Sequence, residues 1–353
     1  MKWIVLFVFL ALLGCQPKPS KVMVIEEGTI DTLDVSSIGL PKLSDYHFFK
    51  GDLKNLEPTD EVHPYALNSA LFSDYAFKRR FAFVTKGKTV QYQATDVLEF
   101  PEGTVLIKNF YYPSDFRQPE KEKRILETRL LLLENGSWKA LPYIWKDDQT
   151  EAYLDVAGKS VAVHWSHYNG EPREVDYSIP NMNQCKGCHL RGDRVMPIGP
   201  SARQLNHAIE GKNVLVNWAS TGLLKGLPAI ESVPRLASYD DEQQPVAERA
   251  RAWLEINCAH CHRADGPAKT SGLHLLADVA DANVLGVGKA PIAAGKGSGG
   301  RLFGIVPGKP DQSILQYRIE STHPGIMMPE LGRKMVHEEG VALVRQWILG
   351  MGD

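Results

Sequence analysis

Apolar residues follow two different spacings along this chain, and the change falls near its middle. Over residues 43–180 they alternate with polar ones in short runs, the period of a half-buried strand. FKRRFAFV and TVQYQA flank Lys86-Gly87, and RILETRLLLLE and SWKALPYIW flank Asn135-Gly136; both pairs read as hairpins. GTVLIKNFYY, EAYLDVA and KSVAVHW add further runs rich in β-branched and aromatic residues. Strands at this spacing predict an antiparallel β sandwich or small barrel. From Cys185 onward the period becomes helical. PVAERARAWLEINCAHCH sets Val246, Ala250, Trp253, Leu254 and Cys261 on one side of a helix, with Pro245 near its start. HEEGVALVRQWILG repeats the pattern with Val341, Val344, Trp347 and Ile348. Residues 295–300, GKGSGG, match GxGxxG in form, but no strand precedes them and they read as a loop.

The first residues break both patterns. An unbroken apolar run from Trp3 to Leu13 follows Lys2 and ends at Gly14-Cys15. That run is too short to cross a bilayer and reads as the core of a signal peptide. LLGC resembles the bacterial lipobox, which implies a lipid on Cys15. Gln16 in the next position implies, by the same resemblance, the outer membrane rather than the inner one. The expected location is the cell envelope, lipid-anchored at the periplasmic face of the outer membrane. No other segment is long and apolar enough for a membrane span. With 40 basic and 42 acidic residues, nothing points to a nucleic-acid partner.

Cysteine usage is more informative. The chain has five Cys: Cys15 for the lipid, and Cys185, Cys188, Cys258 and Cys261 in two CxxCH motifs that end in His189 and His262. Cysteines at i and i+3 on a helix share a face and can form thioethers with the two vinyl groups of a haem. The histidine that follows then swings under the iron. Two such motifs in an exported chain, with every thiol used, predict two covalently attached haem c groups rather than zinc or thioredoxin-type chemistry.

The axial positions opposite the two histidines differ in clarity. Downstream of His262, GIMMPELG offers Met328, adjacent to Pro329, as the sulfur ligand of the second iron, with Met327 as alternate. The first iron has three open possibilities. One is Met196. Another is a histidine from elsewhere: His207, His164, His167, His63 or His47. The last is an unfilled position. Gly199-Pro200 matches the dipeptide whose carbonyl orients the haem histidine in class I cytochromes c. Arg191, Arg194 and Arg203 are candidate partners for haem propionates, and His260 reads as solvent-facing.

PYALNSALFSDYAFKRRF, FPEGTVLIKNFYY, ETRLLLLENGSWKALPYIW, IPNMNQCKGCH, PIGPSARQLN and RARAWLEINCAHCH together resemble a family of exported bacterial two-haem c-type cytochromes with a β-rich N-terminal region. The C-terminal part separately resembles class I cytochrome c domains, through its PG-P-x-S loop before MPELG. The resemblance implies a multidomain α+β fold: an N-terminal antiparallel β sandwich or small barrel followed by α-helical cytochrome c-like haem domains. The expected organisation is a signal peptide over 1–14, a lipidated tether over 15–42 and a β-rich domain over 43–180. A first haem segment over 181–244 and a second haem domain over 245–353 complete it. The function it implies is electron transfer to a periplasmic or outer-membrane redox partner, and it assigns no catalytic residue. Two alternatives stay open: a peroxidase-like two-haem oxidoreductase with an open first iron, and a binding module coupled to a partner dehydrogenase.

Overall fold

The computed structural model describes residues 38–209, 211–292 and 294–352. The signal peptide, Cys15 and most of the tether lie outside the described residues. At the centre is a six-stranded antiparallel meander: β1 (Val62–Tyr65), β2 (Phe77–Phe83), β3 (Val105–Pro113), β4 (Lys123–Glu134), β5 (Ser137–Trp145) and β6 (Ala152–Leu154). Each strand pairs with the next in chain order. Asn135 (φ 53°) and Gly136 (φ 69°) carry the two left-handed conformations of a tight hairpin between β4 and β5, as the sequence predicts. A separate hairpin, β7 (Lys159–Ser166) and β8 (Pro172–Ile179), lies beside the sheet.

The run after Lys86-Gly87 departs from the expected hairpin. Val90–Gln91 pairs in parallel with Leu224–Lys225 instead of folding back on β2. Burial explains the departure, because Val90 is wholly enclosed by a core that later residues complete. That core joins Tyr65, Ala82, Val84 and Leu106 of the β region to Leu205, Leu215, Trp218 and Leu224. The first CxxCH segment and the sheet therefore share one hydrophobic interior.

Both faces of the sheet are covered. On one, Phe81, Val105, Ile107, Leu130, Leu141 and Tyr143 pack under Leu43, Phe48 and Leu56. The other face is divided. The shared core covers one end, and Val163, Trp165, Val175 and Tyr177 of the β7–β8 hairpin cover Phe110 and Tyr112 at the other. Between these apolar patches lies a band of charge.

The expected sandwich or barrel followed by α-helical cytochrome c-like haem domains is overturned. The described residues are 27% strand and 22% helix, built on one six-stranded sheet with only six α-helices. These are α1 (Met182–His189), α2 (Ala202–Leu205), α3 (Val214–Ser220), α4 (Val246–Leu254), α5 (Ile314–Ile319) and α6 (Glu338–Leu349). The helical periods do mark α4 and α6, which pack through Trp253, Leu254, Val344, Trp347 and Ile348. Two periodic stretches do not make a helical domain. The chain between them turns repeatedly, with Gly286 at φ 105° and Gly308 at φ 69° beside Pro307 and Pro310. Among the described residues no helix is long and apolar enough to cross a membrane.

Candidate functional site

The first CxxCH motif sits on α1, whose start is fixed by a reciprocal cap. Asn181 Oδ1 accepts from Gln184 N at 2.8 Å, and Gln184 Oε1 accepts from Asn181 N at 2.9 Å. The helix brings Cys185, Cys188 and His189 to the wall of a cavity of about 290 Å³. His189 is pinned twice by one residue. Its carbonyl accepts from Met196 N at 2.7 Å, and its Nδ1 donates to the Met196 carbonyl at 2.8 Å. This sets the tautomer and leaves Nε2 available as a ligand. The carbonyl that orients the ring thus belongs to Met196, not to Gly199-Pro200.

The second motif follows α4, which widens into a π turn over Glu255–Ala259. His262 Nδ1 lies 3.0 Å from Ser271 Oγ. Because that hydroxyl donates to the Ala268 carbonyl at 2.7 Å, the imidazole must be the donor, and again Nε2 is left over. The two motifs adjoin. The Cys188 thiol contributes to the raised pKa of Cys261, and the His189 and His262 rings both depress that of His260.

Burial acts on these groups in opposite directions. It pushes the Cys258 and Cys261 thiols up to about 12, and raises Cys185 and Cys188 as well. Reactive cysteines need the reverse shift, so thiolate catalysis and disulfide exchange are disfavoured. All four described cysteines are free. His189 and His262 are each pushed down to about 4 by burial, which keeps the imidazoles neutral as metal ligation requires.

Met328 and Met327 line the cavity that holds Cys185, Cys188 and His189; Cys258, Cys261 and His262 are not on its wall, although His260 is. The methionine segment is tied down by hydrogen bonds at both ends. Met328 N donates to the Arg318 carbonyl at 3.1 Å, and Arg333 Nη2 donates to the Met328 carbonyl at 2.8 Å. Buried Asp74 reaches across from the sheet side, accepting from Lys334 N at 2.7 Å and Met335 N at 2.8 Å.

The other candidates for the first iron are placed elsewhere. Met196 packs against the shared core and lines a smaller cavity beside Cys188. His207 has Nε2 at 3.0 Å from the Ala66 carbonyl and Nδ1 at 3.3 Å from that of Ala208. His47, His63, His164 and His167 do not line the main cavity either. The histidines that do, besides His189, are His260 and His337. His260 is therefore not simply solvent-facing: it is half-buried, with Nδ1 enclosed and unpartnered.

His337 stacks on Phe72 at 4.4 Å and accepts from Trp253 Nε1 at 2.8 Å. Burial is the main cause that pushes it down to about 4. Unfolding returns the ring to about 6.5, so the unfolded chain binds the extra proton between those values. Stability contributed by this group is complete above pH 6.5 and is lost as pH falls toward 4, by about 3 kcal/mol at most. Urea midpoints measured from pH 7 to 4 should show a shallower acid limb in His337→Gln than in the parent protein. Equal slopes would remove His337 from the acid response.

The charged band was not legible as a site in the sequence. Arg80 on β2 is the register partner of Lys108 on β3, and Lys108 is the partner of Arg129 on β4. All three line the cavity, with Arg333 and Lys334 from the methionine segment; Glu330 is the one carboxylate on the lining. Like charges directly opposite one another destabilise a sheet. The available signal was charge at strand positions in phase with buried Ala82 and Leu106 and partly buried Leu131. Arg191, Arg194 and Arg203 are engaged elsewhere. Arg191 pairs with Asp96 and Asp265 at 2.8 Å, Arg203 with Glu255 at 3.0 Å, and Arg194 donates to the Gly136 carbonyl at 3.1 Å.

These residues fit covalently held haem: paired thiols on one helix face, neutral imidazoles with Nδ1 engaged, and an enclosed arginine nitrogen without a partner at Arg80 Nη2. Among the described residues no three His, Cys, Asp or Glu side chains converge to hold a bare metal ion. No protein-family model, curated protein or solved structure matches the chain.

Proposed function

We propose that this chain is a two-haem c-type cytochrome of the bacterial cell envelope, tethered by lipid at Cys15, that passes electrons to a periplasmic or outer-membrane partner. The observation that carries the reading is the matched anchoring of the two motif histidines, His189 Nδ1 on the Met196 carbonyl and His262 Nδ1 on Ser271 Oγ. When bound, the haems supply one-electron exchange at iron. The protein's own part is to hold both imidazoles neutral and oriented, and to present Met328 from a segment fixed by Arg333 and Asp74. The adjoining of Cys188 and Cys261 sets the two attachment points close together, which suits exchange between two centres.

The test is the mature protein made in a host able to attach haem. Mass spectrometry should find two haem adducts. The ferric and ferrous spectra should be low-spin and insensitive to carbon monoxide, and Met328→Ala should abolish a sulfur-to-iron charge-transfer band. A high-spin centre that binds carbon monoxide readily would favour the oxidoreductase with an open iron. Unmodified thiols would overturn both readings.

A further inference from the structure

Three cations in register on one face of a sheet, with Lys78 near them and Arg333 and Lys334 on the same cavity, need an explanation, because the two nearby carboxylates are already engaged. Glu330 pairs with Arg318 at 3.6 Å, and Glu127 is committed to Arg129: Oε2 accepts from Nε at 2.7 Å and Oε1 from Nη2 at 2.6 Å. Among the described residues Arg80 and Lys108 have no acidic partner. Arg80 is 8% exposed and its Nη2 has no hydrogen bond. Lys108 Nζ rests over the Phe110 ring at 4.7 Å, and its pKa is well depressed by burial and by both neighbouring arginines. An unpaired cationic pair with Arg80 buried and Lys108 half-buried is costly, and an anion that completes it offsets that cost.

The row also has a direction. Helix α1, which carries Cys185 and Cys188, packs against β5, the strand next to Arg129 on β4, so Arg80 on β2 is the member of the row farthest from the thiols. Arg80 stands two strand spacings from Arg129, about 10 Å, comparable with the width of a porphyrin. A haem joined by its vinyl edge to Cys185 and Cys188 presents its carboxylates at the opposite edge.

We propose that Arg80 and Lys108 form a carboxylate-binding pair whose occupants are the propionates of the haem attached at Cys185 and Cys188. The inference rests on the two-haem reading above. It gives the pair a positioning and tuning role. The two cations hold the propionates ionised, and their positive charge favours the reduced centre.

The test uses the lipidated, fully haem-loaded protein and two variants, Arg80→Leu and Lys108→Met. Haem stoichiometry is measured first. If parent protein carries no haem on Cys185 and Cys188, the two-haem reading has failed and the inference falls with it. With both haems present, each variant should keep its haem count, lower the midpoint potential of one haem only, and gain a pH dependence of that potential between pH 5 and 8. The parent's should be nearly flat, since its propionates stay ionised throughout. Potentials and pH profiles that match the parent in both variants would overturn the assignment. A free anion is the competing source of carboxylate or oxyanion. Succinate and sulfate are therefore titrated into loaded parent protein, and the thermal midpoint is followed. No rise is expected, because the pair is already occupied. A saturable rise that Lys108→Met abolishes would show that a free anion holds the site instead.

Discussion

Changing Cys185 and Cys188 together to serine is expected to halve the covalent haem of the exported protein; changing Cys258 and Cys261 instead should also halve it, and changing all four should abolish it. Each pair belongs to its own CxxCH motif, and serine cannot form the thioether. The two losses should differ in their wider effect. Cys185 and Cys188 line the same cavity as Arg80 and Lys108, so losing that haem leaves the cationic row unbalanced. The first double variant should therefore unfold at lower urea and respond to added sulfate, which can stand in for the missing carboxylates. Cys258 is instead enclosed with Trp253, Leu254 and Val344, so the second double variant should lose packing without gaining an anion response. Haem content is read by mass spectrometry and by the absorbance of the pyridine adduct. Two haems retained in either double variant would break the assignment of the motifs.

Glu127→Leu is expected to destabilise the protein by about 3–5 kcal/mol, the cost of removing one partner from a buried ion pair. Glu127 is completely buried, and besides the two bonds from Arg129 it accepts from Tyr177 OH at 2.7 Å. Its loss frees a third cation beside Lys108 and Arg80 and strands a buried hydroxyl. Glu127→Leu combined with Arg129→Leu should recover much of the stability, because an apolar pair can replace a buried ion pair at little cost. Urea unfolding at pH 7 measures both. A single substitution costing under about 1 kcal/mol would mean that the band is already neutralised by something other than Glu127.

The sequence was most readable where chemistry and local geometry coincide. CxxCH fixes two thiols and an imidazole within one helical turn, and Asn135-Gly136 fixes a hairpin, so both could be identified from a few residues. Periodicity likewise located α4 and α6. It misled where packing between distant segments decides the outcome. Val90 looked like the second arm of a hairpin because its neighbours alternate, yet its partner is Leu224, far along the chain. The same failure hid the cationic row. Arg80, Lys108 and Arg129 are unremarkable singly, and only the strand register sets them side by side. Met196 shows a subtler limit. Its thioether is a candidate iron ligand in the sequence, whereas its backbone holds the histidine, and a carbonyl's role leaves no trace in side-chain identity.

The seclusion of the thiols has a consequence for biogenesis. Cys185 and Cys258 are each 7% exposed, beneath segments contributed by the sheet and by the C-terminal third of the chain. If the proposed haems are joined there, an enzyme that forms the thioethers has to reach both residues, and the finished fold covers them. Under that reading ligation comes before the last segments settle, so that the prosthetic groups are built into the interior as it forms. A mature chain that missed this window would have to open before it could be repaired.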